Sequence, residues 1–221
     1  MELRARSYTA GIILIAGSAF EVFAMAHHPS VATQDIAQAV ASIAALKTLS
    51  GVVHGILIAL MLAIAYGLSE FAERRGGGRP FIRMGALSYF AGVIFMSGAA
   101  LVSGFITPGL AAYTPHESAA DLATTAQLFT LCRLLNQSAA NAGAVAISLG
   151  IIGFSLDVFK EARGIALLGL MVGVLPALAL PLGFGHLDVR GMSTVVLLQA
   201  VWSAAVGVKF LANPTSAWAR A

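Results

Sequence analysis

The sequence predicts an all-α, polytopic membrane protein folded as a bundle of six transmembrane helices. Three observations carry that expectation. Of 221 residues, 58% are hydrophobic and only 10% are charged, whereas soluble domains carry about 25% charged residues. Mean hydropathy is +0.87, so apolar side chains must face lipid as well as one another. Six apolar stretches recur, at roughly 8–26, 50–71, 85–107, 128–156, 164–185 and 193–212, each near the length that spans a hydrocarbon core. They lack the alternation of a membrane β-barrel, and a helix satisfies its own backbone in lipid. No polar stretch is long enough for a soluble second domain, so residues 1–221 are expected to form a single transmembrane domain.

The first stretch has a rival reading. Arg4 and Arg6, the apolar run after them and Ala24-Met25-Ala26 also fit a secretory signal with a cleavage site. Glu21 sits badly in the apolar region of such a signal, and the repeat described below uses this segment, so the helix is expected to be retained.

Orientation follows from basic residues. With the N-terminal side taken as inner, Arg4, Arg6, Arg74, Arg75, Arg79, Arg83, Lys160, Arg163, Lys209 and Arg220 fall there, against Lys47, Arg133 and Arg190 outside. The positive-inside rule then places both termini in the cytoplasm, with the chain crossing a cell or inner membrane several times. The net charge of +3 is scattered over inter-helix segments, so nucleic acid is not an expected partner. The lone Cys132 excludes an internal disulfide.

Between the helices, residues 32–46 and 118–127 read as outer linkers. They are expected either to lie as short helices or to extend the next span outward. Ser118 followed by Asp121 resembles a capping box. Gly76-Gly77-Gly78 with Pro80 marks an inner turn without a phosphate-loop pattern. At an offset of 86 residues Pro29 matches Pro115, Asp35 matches Asp121, Lys47 matches Arg133 and Gly67 matches Gly153. The pattern suggests repeated helical hairpins, 8–71 and 94–157, followed by a shorter third over 164–212. Pro176 is expected to kink the fifth helix. Small residues from Gly143 through Gly150 favour close helix packing.

All five histidines map to the outer side: His27, His28, His54, His116 and His186. Histidine is the commonest metal ligand and also ligates haem. His28, His54 and His186 are the candidate ligands, and His27 and His116 are expected to be water-exposed. Glu21 lies seven residues before His28, on the same helix face and about 10 Å deeper. Arg133, Asn136, Gln137 and Asn141 descend from the outer side on the fourth helix. An ionisable group costs about 2.5–3.5 kcal/mol at mid-membrane, so Glu21 and Arg133 are expected either to share a functional polar layer or to have a structural role, pairing with each other or with Arg133 snorkelling to the outer headgroups. Asp188 is a candidate cap for that layer. Met25, Met61 and Met96 have no ligand-like spacing and read as packing residues. The serines have no histidine–acid partner at a defined spacing, which leaves a serine hydrolase unsupported.

The function expected from these residues is an outward-facing polar pocket that binds a metal ion, haem or a small redox-active ligand. Two alternatives stand beside it: a small proton-coupled transporter using the Glu21 layer, and a non-catalytic membrane module that binds a partner protein.

Overall fold

The computed structural model describes residues 2–31, 33, 35–113, 118–184 and 187–213, with side chains from residue 5 onward. His116 and His186 lie outside the described residues. Among the described residues the chain is helical, with no strand: α1 Glu2–Ala26, α2 Ile36–Ala45, α3 Lys47–Arg74, α4 Pro80–Leu101, α5 Thr107–Tyr113, α6 Ala119–Val158, α7 Arg163–Ala179 and α8 Val189–Ala212. A π-helical turn, Val102–Ile106, joins α4 to α5.

Five helical segments are long and apolar enough to cross a membrane: Ala5–Ala26, Lys47–Arg74, Pro80–Tyr113, Ala119–Val158 and Val189–Ala212. Their outward faces carry bare apolar side chains such as Phe20, Leu87 and Ile94, which are 62–72% exposed. Water would penalise such surfaces and lipid does not. The composition and these faces together describe a multi-pass helical membrane protein. The fifth apolar stretch behaves differently from expectation. Its helix, α7, ends at Ala179 after 17 residues rather than reaching residue 185, and 17 residues rise only about 25 Å.

The other boundaries move outward. The linker over 118–127 is the start of α6, whose 40 residues rise about 60 Å, roughly twice a hydrocarbon core. Ser118 and Asp121 close a reciprocal capping box there, which satisfies orphan N–H groups and starts the helix early. Residues 36–45 form the separate helix α2, N-capped by Asp35 through Gln38 N. Helix α2 packs on α5, burying Val40 and Ala111. Lys47 Nζ stands 4.0 Å over the Tyr113 ring and ties the start of α3 to the end of α5.

In the bundle, α1 lies against α3 and α8, and α6 lies against α4 and α7. The α4–α6 seam is made by glycines. A side-chain carbon at Gly92 would come within 2.6 Å of Ile147, and one at Gly150 within 2.8 Å of Tyr89. The helix backbones therefore touch where a Cβ cannot fit. Phe71, Phe154, Trp202 and Phe210 form the main core cluster with Leu14, Ile64 and Leu68.

The end of the bundle where α3 leads into α4 is closed by ion pairs. Arg75 Nε donates to Asp157 Oδ2 at 2.6 Å, Arg79 Nε to Asp157 Oδ1 at 2.9 Å, and Arg75 also reaches Glu161 at 3.2 Å. Arg6 bridges Glu70 and Glu73 at 3.0 and 2.8 Å. Arg75 thus turns inward, although its position in the sequence marks it only as one of the inner charges. Gly76 follows with φ 75°, a left-handed residue that lets the chain leave α3 at once.

Candidate functional site

The end of the bundle opposite the ion pairs holds a cavity of about 320 Å³. Helix α1 contributes Glu21 and Met25 to its wall, and His28 follows just past the helix end. Helix α3 contributes His54, Leu57 and Met61. From α6 come Asn136 and Gln137, and from α8 come Met192 in its first turn and Gln199 near its middle. Met96 and Ser103 enter from α4 and the π turn, and Leu187 and Asp188 from the segment before α8. Apolar surface dominates the wall, with few polar groups set in it, as in small-ligand sites generally.

The two histidines meet. His28 Nε2 and His54 Nε2 are 3.0 Å apart, with the rings edge to face and their centroids 4.7 Å apart. His54 is buried, 3% exposed. Its Nδ1 lies 2.8 Å from the Ser50 carbonyl, one turn earlier on α3. A carbonyl only accepts, so Nδ1 carries the proton and Nε2 presents its lone pair to His28. The same Nδ1–H···O=C arrangement orients metal-ligating histidines. Gly104 in the π turn packs directly on the His54 ring. π turns are frequent at functional sites, and this one brings a residue with no side chain to the imidazole. Burial, reinforced by His54, holds the His28 ring below the ordinary imidazole range, so it stays neutral and able to ligate.

Glu21 faces the same cavity, two turns below His28. Arg133 does not. It is exposed on α6, and no ion pair joins it to Glu21 among the described residues. The reason is rotational: Asn136 and Gln137 follow Arg133 by three and four residues, but the cavity takes the edge of that stripe nearest Ala140. Arg133 is left on the exposed face of α6. Asn141 is half-buried, its Oδ1 has no hydrogen-bond partner among the described residues, and it does not border the cavity. Gln137 Nε2 donates to the Leu187 carbonyl at 2.9 Å and so fixes the segment over the mouth. Asp188 is exposed at that mouth and caps α8 through Gly191 N at 2.8 Å. His27 is exposed, its Nδ1 2.9 Å from the Phe23 carbonyl.

Two groups of site residues escaped the sequence reading. Gln199 is one, the lone amide within α8. Its Nε2 is buried without a hydrogen-bond partner among the described residues, and an amide in the middle of a span is the available signal. The methionines are the other. Met25, Met61, Met96 and Met192 come from four different helices, α1, α3, α4 and α8, and all border the cavity, which no spacing along one helix announces.

Among the described residues no group of three or more His, Cys, Asp or Glu side chains surrounds a common point. The imidazole pair is therefore the nucleus of the site. Comparison of the chain with protein-family models, with curated proteins and with solved structures finds no match.

Proposed function

We propose that the chain is a six-span membrane protein whose outward-facing pocket binds a metal ion at the His28–His54 pair. The observation that carries this reading is the 3.0 Å approach of the two Nε2 atoms, with His54 anchored through Nδ1. Two nitrogens bound to one tetrahedral ion at about 2.0–2.1 Å lie roughly 3.3 Å from each other. The rings would separate by only a few tenths of an ångström to admit an ion. Today's hydrogen bond gives way as His28 moves its proton to Nδ1.

Haem fits less well. Axial imidazoles on opposite sides of an iron stand about 4 Å apart, with the macrocycle between them. The edge-to-face contact with centroids 4.7 Å apart has no such slot. A transporter needs an inner path, and the inner half is filled by Leu14, Ile64, Leu68 and Phe71, all at most 2% exposed.

The sixth span in this reading is α7, lengthened by the turn over 180–182. Both termini face the cytoplasm of a cell membrane under the positive-inside bias. The repeated hairpins receive mixed support. Gly67 and Gly153 are both close-approach glycines, but Asp35 is an N-cap whereas its match Asp121 is the third residue of a helix.

The test is metal titration of the purified chain in mild detergent, with a chelator as competitor. The wild type should bind about one ion per chain. His28→Ala and His54→Ala should each weaken binding by roughly tenfold or more. Equal binding by both variants, or none by the wild type, contradicts the reading.

A further inference from the structure

We infer that the ion this pocket takes is monovalent copper, held by the imidazole pair together with methionine thioethers. The inference rests on the metal-binding reading of the His28–His54 pair and specifies its ligand class.

The sequence contains seven methionines. Met1 lies outside the described residues. Met84 and Met171 are 42% and 62% exposed on outward faces. The remaining four, Met25, Met61, Met96 and Met192, all border this cavity. Every described methionine that the bundle turns inward is therefore at the same place. Methionine is an adaptable core filler, yet apart from the cavity-lining Met61 and Met96 the main core cluster is built of Leu, Ile, Val, Ala and aromatic residues.

The thioethers border the same cavity as the imidazoles. Met25 is in the last turn of α1, three residues before His28. Met25 is buried in a cluster with Val53, the residue before His54, and Met192 packs against that cluster. Met61 is two turns below His54 on α3, at a level close to Glu21. An ion at the imidazole pair would thus have soft sulfur donors on the adjoining wall and carboxylate charge deeper in.

Donor type and charge select the ion. Thioether sulfur favours monovalent copper, while imidazole accepts copper and zinc alike. Zinc sites draw on thiolate, imidazole and carboxylate, and the one cysteine, Cys132, is not in this wall. Two neutral imidazoles and neutral thioethers add no charge. Glu21 is then the one acidic side chain in the depth of the cavity, with Asp188 exposed at the mouth. Ionised beside a bound cation, Glu21 would balance a single positive charge, whereas a divalent ion would leave an uncompensated charge in a low-dielectric wall.

The experiment is competitive titration of the full chain with Cu(I), kept reduced and anaerobic, against a chromogenic Cu(I) chelator, beside a Zn(II) titration. Leucine keeps methionine's volume, so Met25→Leu/Met192→Leu should fold as the wild type does, judged by its thermal midpoint. It should lose about tenfold or more in Cu(I) affinity and change Zn(II) affinity less than about twofold. The lipid-facing Met84→Leu/Met171→Leu should leave Cu(I) affinity unchanged. If Zn(II) binds through the histidines while Cu(I) affinity is indifferent to Met25→Leu/Met192→Leu, the copper assignment is overturned and the metal reading stands. Should neither ion bind, both fall. If the Met25/Met192 variant fails to fold, Met61→Leu/Met96→Leu is read by the same criteria.

Discussion

Gly104 lies flat against the imidazole of His54: a methyl group on residue 104 would overlap His54 Cβ and stand 2.5 Å from its Cγ. The π turn over 102–106 adds a residue to the helix and brings this glycine backbone to the ring. Gly104→Ala should therefore displace the imidazole without replacing any side chain that lines the cavity. We expect a loss of about 1–3 kcal/mol in stability from overpacking and a drop of roughly tenfold in metal affinity. Thermal unfolding and chelator competition on the same preparation read both. Full metal affinity in a folded Gly104→Ala would show that the ring position does not matter.

At the opposite end, Arg75 and Asp157 have side chains 1% and 2% exposed and meet at 2.6 Å. Removing one partner strands a buried charge, which costs about 3–5 kcal/mol. Arg79 also reaches Asp157, so Arg75→Ala should fall at the lower end of that range. The double variant Arg75→Ala/Asp157→Ala should be more stable than the sum of the single losses predicts. Denaturation in detergent measures all three, and simple additivity would argue against a direct pair.

Glycines on the α4–α6 seam should be intolerant where backbones touch and tolerant elsewhere. Gly92→Ala and Gly150→Ala place a methyl group within 3 Å of the facing helix and should each cost about 1–3 kcal/mol. Gly98 has nothing within 4 Å of its Cβ position, so Gly98→Ala should be neutral or stabilise by about 0.5–1 kcal/mol through helix propensity. The same unfolding assay ranks the three, and equal effects would contradict the close seam.

Membrane orientation can be read chemically. In a Cys132→Ala background, Gly77→Cys in the turn before α4 should react in intact cells only with a membrane-permeant thiol reagent. Asp35→Cys at the start of α2 should react with an impermeant one. The reverse pattern would invert the topology drawn from the basic residues.

How much of this was legible in the sequence depends on range. Helical spans announce themselves locally, because twenty apolar residues need no partner to be recognised. Capping at Ser118–Asp121 is equally local. The short α7 was not foreseen, because the apolar run continues beyond Ala179 into a turn at Gly183, whose φ is 75°. Convergence is the harder problem. Glu21, His28 and His54 were singled out because ionisable groups at depth are costly and because all histidines fall on one side, and the cavity borders all three. Arg133 carried the same cost argument, yet a small rotation of α6 puts it outside, and sequence spacing does not fix that rotation. The inward methionines belong to helices far apart in the chain, so their grouping is a property of the packing alone.

X-ray absorption at the metal edge of the loaded chain tests the central claim most directly. The account predicts first-shell nitrogen at about 2.0 Å with the outer-shell pattern of two imidazoles, and loss of that pattern in His54→Ala. A spectrum without imidazole scattering, or one identical in wild type and His54→Ala, would contradict it.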